Sequence, residues 1–205
     1  MSAANVTGKA PRVLVVYATR HGSTEKVAQT VADVLAEGGF EVDVRPIAES
    51  PAVEGYDAVV VGAPMIMGWH RGARRFVKQR REALSRVPAA YFMTAMALTD
   101  TGADAVDGVP VFKDPWLAKV PRAAGKLGFR ERYAAPEKYL GDVLKAVPQV
   151  RPRAVAFVGG SLDLTTMNVF EKLFVLLVVR ATPGDVRNWK AIREWAESLG
   201  PKLAE

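Results

Sequence analysis

Residues 12–24 read RVLVVYATRHGST, a short apolar run that gives way to a polar turn containing glycine. The run is rich in β-branched residues and follows a proline, which predicts a buried strand of a parallel sheet. Apolar residues then recur at helical spacing from Val27 to Leu35, and the pattern ends at Gly38 and Gly39. The stretch is therefore predicted to be a strand, a turn and a helix, with the turn at the amino terminus of the helix.

The same alternation continues along the chain. Further strands are predicted at Glu41–Arg45, Asp57–Ala63, Ala89–Met96 and Arg153–Gly160, and further helices at about Ala73–Arg86 and around Trp189, Ile192, Trp195, Ala196 and Leu199. Such alternation predicts an α/β fold with a parallel sheet and helices on both faces, and right-handed crossovers make it doubly wound.

Ligands of doubly wound sheets bind beyond the carboxyl ends of the strands, at the point where the strand order reverses. That rule selects four loops as the candidate site: Thr19–Thr24, Pro64–Gly72, Thr94–Asp100 and Gly159–Thr165.

Residues 98–136 break the alternation with repeated glycine and proline, and they are predicted to form an insertion in a single domain spanning 12–205, after a flexible amino terminus at 1–11. From Lys113 to Arg132 six cations stand against two carboxylates, with Phe112, Trp116, Phe129 and Tyr133 between them. Two interpretations stay open: a solvated loop, or a lid or docking surface for an acidic, planar partner.

Composition excludes several classes of function. The 205 residues contain no cysteine, so disulfides, thiolate metal sites and cysteine nucleophiles are ruled out, and we expect no metal site. The net charge of +6 favours anionic ligands, but there is no nucleic-acid recognition motif, so we expect no nucleic-acid partner. The amino terminus lacks a secretory pattern, which predicts a cytoplasmic protein.

The apolar segment Met167–Ala181 carries two interpretations. One is a helix buried in the core or in a homodimer. The other is a helix lying at the inner face of the cell membrane, which would make the protein peripheral there.

The turn after the first strand has the chemistry of a phosphate site. Thr19, Ser23 and Thr24 offer hydroxyls, Gly22 permits close approach of the backbone, and Arg20 adds a forked cation. Unpaired amides at a helix amino terminus favour an anion in the same place. The alternative is a helix start capped by Ser23 or Thr24, with nothing bound.

This turn resembles the phosphate loop of flavodoxins, Thr/Ser-x-Thr-Gly-x-Thr, which Thr19, Gly22 and Thr24 match. Within that fold the chain is most similar to the menaquinone-dependent protoporphyrinogen IX dehydrogenases, and the similarity lies in residues 19–24, 56–63, 68–70, 76–78 and 158–162. The resemblance implies a flavodoxin-like, doubly wound five-stranded parallel sheet of order 2-1-3-4-5, with an insertion before the last strand.

The resemblance also implies flavin mononucleotide (FMN) as the cofactor. Its phosphate would be held by the first loop, at Thr19, Arg20, His21, Gly22, Ser23 and Thr24. The inner wall of the flavin site would be formed by Pro64, Met65, Ile66, Met67, Gly68 and Trp69. The second wall would be formed by Thr94, Ala95, Met96 and Ala97, with Gly160 beside them. For Trp69 the alternative is a packed loop residue without a flavin contact.

The function implied is an FMN-dependent oxidoreductase that passes electrons from a hydrophobic or anionic, porphyrinogen-like substrate through flavin to a quinone such as menaquinone. His70 and Asp163 are the weak catalytic candidates, since both lie on loops of the site, and solvation or turn capping is the alternative role of each. Two other functions stay open: an electron carrier of the flavodoxin type, and a non-redox binding module.

Overall fold

A parallel sheet stands at the centre of the computed structural model, which describes residues 9–65, 68–123, 126–163, 165, 173 and 183–204. Its five principal strands are β1 (Arg12–Tyr17), β2 (Glu41–Pro46), β3 (Ala58–Pro64), β4 (Ala89–Ala95) and β9 (Ala154–Gly159). They lie in the order β2-β1-β3-β4-β9, and each neighbouring pair is parallel. The predicted order 2-1-3-4-5 is therefore confirmed.

Helices cover both faces of the sheet, as predicted. Helices α1 (Ser23–Glu37), α6 (Trp189–Glu197) and α7 (Leu199–Leu203) pack on one face, where Val15, Phe92 and Trp195 belong to one apolar cluster. Helices α2 (Arg71–Gln79), α3 (Arg81–Leu84) and α5 (Pro136–Ala146) pack on the other face. The single basic helix predicted at about Ala73–Arg86 is wrong in its bounds, since α2 and α3 are separate and meet at Arg80.

The predicted insertion extends the sheet. Strand β7 (Val109–Lys113) runs parallel to β9, and β6 (Ala105–Val106) pairs with it in antiparallel fashion, so the described sheet has seven strands. Asp107 and Gly108 join β6 to β7 with positive φ angles of 49° and 79°, the geometry of a two-residue hairpin turn.

The rest of the insertion is built from short pieces beside the same edge. Strand β5 (Leu98–Thr99) pairs with β8 (Ala118–Lys119), and helix α4 (Phe129–Tyr133) precedes α5. The Thr99 amide donates to the Ala134 carbonyl at 3.0 Å, which ties α4 to β5.

Past β9 the chain makes the small pair β10 (Ser161–Leu162) and β11 (Gly184–Asp185). Apart from Leu173, the segment Met167–Ala181 lies outside the described residues, so neither interpretation of it is tested. None of the helices in the described ranges is both long and apolar enough to cross a bilayer.

Candidate functional site

The turn between β1 and α1 leaves the amino terminus of the helix open. Gly22 precedes the helix with a φ angle of 76°, and no described side chain caps the first turn. A Cβ added at Gly22 would meet no heavy atom within 4 Å, so the space beside this residue is clear. Arg20 beside it is exposed, and Thr19 and His21 are half-buried. Free amides, open space and a nearby cation suit an anion such as a phosphate.

Hydrogen bonds tie this turn to the neighbouring loops. The Ser23 hydroxyl accepts from the Ser161 amide at 2.8 Å, and the buried Thr24 hydroxyl pairs with that of Thr94 at 3.0 Å. The Gly160 amide in turn donates to the Ala95 carbonyl at 2.9 Å. The loops after β1, β4 and β9 therefore meet at the carboxyl edge of the sheet.

These bonds also give the predicted phosphate-binding residues different roles. The Ser23 oxygen holds the loop after β9 and keeps its own proton for a ligand. Thr24 is 1% exposed and its hydroxyl serves the contact with Thr94, so its backbone amide is the group left to face an anion. Neither side chain caps α1, in contrast to the capping alternative.

The loop after β3 folds back on itself. Met65 and Trp69 form an antiparallel bridge, and the His70 amide donates to the Pro64 carbonyl at 3.1 Å. Gly68 takes a φ angle of 114° in the bend, while Ile66 and Met67 lie outside the described residues.

Trp69 adopts the packed alternative. Its ring is 3% exposed and lies 5.1 Å from the Tyr91 ring, centroid to centroid. Its indole Nε1 is buried without a hydrogen-bond partner among the described residues. Trp69 thus packs in the core beneath this loop, and Met65 is buried in the same apolar cluster.

His70 has one clear role in the structure, as the cap of helix α2. Its Nδ1 accepts the Gly72 amide at 3.1 Å and so caps α2, which requires the neutral ring. Burial, followed by the charge of Arg20, lowers the pKa of His70 below its ordinary value.

The end of β4 and the loop after it run from the core to the surface. Thr94 and Ala95 are buried, Met96 is half-buried and Ala97 is exposed. The Thr94 carbonyl accepts from the Met65 amide at 2.8 Å, which joins this loop to the one after β3. All four predicted loops are therefore in contact.

Asp163, the second catalytic candidate, is engaged in a turn. Its Oδ1 accepts from the Thr165 amide at 2.8 Å and from the Thr165 hydroxyl at 2.6 Å. This is the turn role given above as its alternative.

Asp114 is the residue at this edge that sequence reasoning missed. It follows β7, is 0% exposed and accepts from the Trp116 amide at 2.9 Å, the Gly159 amide at 3.2 Å and Asn188 Nδ2 at 3.1 Å. It thereby joins β7, β9 and the start of α6. The signal for it was an aspartate directly after an alternating strand and before Pro115, which is typical of a strand end.

A second polar group closes the same edge. Arg187 pairs with Asp185, which lowers the pKa of Asp185, and its guanidinium lies 4.7 Å from the Trp189 ring centroid. Its Nη1 is buried and has no acceptor in the described part of the chain. Within that part, no three histidine or acidic side chains lie together as a metal site would require.

The fold and site define an α/β protein of the doubly wound class whose candidate ligand-binding edge is built around an open helix amino terminus. The chain matches the Flavodoxin domain family over residues 14–187 and belongs to it.

Curated relatives and solved structures agree with this membership. The chain is 34% identical over 84 residues to the protoporphyrinogen IX dehydrogenase [quinone] of Escherichia coli (strain K12), which is 40% of this chain and 46% of that protein. It is 24% identical over 206 residues to the enzyme of the same name from Leishmania major, covering 95% of this chain and 77% of that protein. The match therefore spans about half the length of the bacterial relative.

The solved structures show the fold. The flavodiiron core of Flv1 from Synechocystis sp. PCC6803 superposes with a TM-score of 0.53 at 10% identity, over 96% of this chain and 37% of that one. The flavodiiron protein of Giardia intestinalis gives 0.50 at 12% identity, over 94% and 36%. Membership of the flavodoxin family supports a flavin as the ligand of the edge described above.

Proposed function

We propose that this chain is an FMN-dependent oxidoreductase that takes electrons from a hydrophobic, carboxylate-bearing substrate of the porphyrinogen type and passes them to a quinone. The observation that carries the proposal is the open start of α1, which stands where the four loops meet in a chain of the flavodoxin family. Relatives named protoporphyrinogen IX dehydrogenase [quinone] support the substrate and the acceptor.

The residues present fit FMN rather than a dinucleotide. A single helix amino terminus with Gly22, the Ser23 hydroxyl and exposed Arg20 suits one terminal phosphate. Met65, Met96 and Ala97 stand on the loops that would flank the ring. When bound, FMN supplies the electron exchange, and the protein supplies position and electrostatics.

Cations beside this edge suit a substrate with carboxylates. Arg20, in the first loop, and Arg71, at the start of α2, are both exposed. Guanidinium groups pair with carboxylates through two parallel hydrogen bonds, which orients a planar substrate as well as attracting it. His70 is held neutral and uses Nδ1 for the cap, so Nε2 is its remaining proton-carrying atom.

FMN titration of the purified protein is the first test. We expect saturable binding, and we expect Arg20→Ala to weaken it about tenfold, the loss of one charge-assisted contact. Arg74→Ala is the matched control, because Arg74 is an exposed arginine on α2 and we expect it to leave FMN affinity unchanged. A wild-type protein that does not bind FMN would refute the proposal.

Substrate assays of the FMN-loaded protein test the remainder. Oxidation of a porphyrinogen should require added menaquinone or a soluble analogue, and each electron pair lost by the substrate should appear in the quinone. Electron transfer to protein acceptors alone would refute the enzyme and support an electron carrier of the flavodoxin type. Binding of FMN without any electron transfer would refute both and support a non-redox binding module.

A further inference from the structure

Three large apolar side chains of the insertion point into solvent. Trp116 is 70% exposed, Val120 is 82% exposed and Phe129 is 84% exposed. Single exposed apolar residues are ordinary, but a group of them on one short segment marks a surface that binds something. We call this group, with the cations around it, the insertion patch: Trp116, Lys119, Val120, Arg122, Lys126, Phe129, Arg130 and Arg132.

The insertion patch is held firmly to the sheet. Glu131 accepts from the amides of Arg122 at 2.8 Å and Gly128 at 2.7 Å, which closes the segment onto α4. The Asp100 amide donates to the Lys119 carbonyl at 2.9 Å and fixes β8 against β5. Trp116 is anchored through its amide to the buried Asp114.

A row of aromatic rings connects the patch to the core. Phe129 stacks on Tyr133 with centroids 6.5 Å apart, Tyr133 meets Tyr139 edge to face at 6.4 Å, and Tyr139 lies 6.0 Å from buried Phe157. The outermost ring is therefore presented on a fixed base, which lowers the entropic cost of using it in binding.

Cations outnumber carboxylates around the three apolar side chains. Lys119, Arg122, Lys126, Arg130 and Arg132 are all exposed, and none forms a salt bridge with a described carboxylate. Of the two acids of the stretch, Asp114 is buried, and Glu131, which accepts from two backbone amides, offsets part of the charge beside Arg122. The patch thus joins exposed rings to five cations whose charge is only partly balanced.

We propose that the insertion patch docks the protein on a bilayer that carries anionic lipid headgroups. Lysine and arginine are attracted to such a surface by its negative charge, while tryptophan and phenylalanine bury their rings at the boundary between headgroups and acyl chains. A second copy of this chain fits poorly, since a two-fold contact would set the five cations against themselves.

Docking would also orient the candidate site. Strand β5 begins directly after the loop that holds Met96 and Ala97, and β8 of the patch pairs with it. The carboxyl edge of the sheet therefore lies next to the docked surface. The proposal stands on the insertion alone, so it does not depend on flavin or on the proposed activity.

Vesicle sedimentation with the whole protein, with and without FMN, tests it. We expect binding to phosphatidylcholine vesicles that contain phosphatidylglycerol, at least tenfold weaker binding to phosphatidylcholine alone, and loss of binding in high salt. No binding to the anionic vesicles, or equal binding to both kinds, would overturn the proposal, and an acidic protein partner would then be the better candidate.

Charge reversal locates the docking surface. Arg122→Glu with Arg130→Glu should reduce vesicle binding at least tenfold, and Arg74→Glu with Arg75→Glu on α2 makes the same change of charge elsewhere and should reduce it less than threefold. Equal losses would mean attraction to the whole molecule and would refute a specific patch. Thermal unfolding of each variant verifies that it is folded.

Tryptophan fluorescence reports on the docked face directly. Trp69 and Trp195 are buried, at 3% and 1% exposed, whereas Trp116 is 70% exposed. Vesicle binding should shift the emission to the blue, and brominated lipids should quench it. Trp116→Phe should abolish both signals while sedimentation stays within about twofold, and Trp189→Phe should preserve them. The opposite result for these two variants would place the membrane contact elsewhere.

Discussion

The pKa of His70 depends on how two loops pack together. Burial and the charge of Arg20 both favour the neutral imidazole, and the cap on α2 needs an unprotonated Nδ1. We expect the pKa of His70 to lie below 6.5, measured from its ring proton shifts in an NMR titration. Arg20→Gln should raise that pKa, because it removes one of the two causes and leaves the cap in place. A value above 6.5 in the wild type would contradict the contact.

The same shift gives stability a pH dependence with a defined sign. The folded protein resists protonation of His70, so below about pH 6.5 the unfolded chain binds more protons than the folded one. His70 therefore lowers stability as the pH falls through 6.5 and makes no difference above it. Urea unfolding at several pH values should show this slope in the wild type and a weaker one in His70→Gln.

At Gly159, strand β9 and the segment that contains Val186 approach each other very closely. A Cβ there would lie 1.8 Å from the Val186 carbonyl oxygen, so alanine must displace the chain that crosses β9. We expect Gly159→Ala to destabilise the protein by about 1–3 kcal/mol in urea unfolding. Gly141→Ala is the control, since nothing lies within 4 Å on helix α5 and a gain of about 0.5–1 kcal/mol is expected.

Residue types indicated the candidate site, but they did not assign the hydrogen bonds within it. Thr19, Gly22 and Ser23 identified the turn, because their chemistry is local. The bonds of Thr24 with Thr94 and of Ser23 with Ser161 depend on where distant loops meet. The spacing of residues in a single sequence does not predict such meetings. The packing of Trp69 on Tyr91 was undecidable for the same reason.

At the scale of elements, Asp114 is the joint between β7, β9 and α6. Asp114→Ala would leave the Gly159 amide, the Trp116 amide and Asn188 Nδ2 without their buried acceptor. We expect a loss of about 3 kcal/mol or more in urea unfolding. Asp142→Ala serves as the control, since Asp142 pairs with Lys138 on the exposed face of α5, where solvent screens the ion pair and little or no loss of stability is expected. Equal losses would deny Asp114 its structural role.

The long elements were predictable and the short ones were not. Strand β1 lies in the apolar run that predicted it, and α1 begins at the expected turn, because both carry a strong sequence pattern. Strands β5, β6 and β8 have two residues each, which is too few to show alternation. Asp107 and Gly108 between Val106 and Val109 are a hairpin signal that was present in the sequence and was not used.

At the scale of the molecule, the central strands contribute to both apolar clusters, and β4 does so with large aromatic rings. Tyr91 and Phe92 are neighbours on β4 and point to opposite faces, where Tyr91 meets Trp69 and Phe92 meets Trp195 edge to face at 6.1 Å. Gly62 on β3 makes room for the Phe92 ring, since a Cβ there would lie 1.8 Å from it. Loss of β4 would therefore open both clusters together.

This coupling predicts that the two faces unfold in one transition. Trp69 reports on one cluster and Trp195 on the other, so two single-tryptophan variants, with the remaining tryptophans replaced by phenylalanine, follow each face alone. In urea, the fluorescence of each variant should coincide with its own far-ultraviolet circular dichroism, as expected when a shared sheet makes unfolding cooperative. Comparison within each variant removes the effect of the substitutions on stability. Fluorescence of Trp195 that changes at lower urea than the circular dichroism would show that the face with α1 and α6 opens first and that β4 does not couple the two.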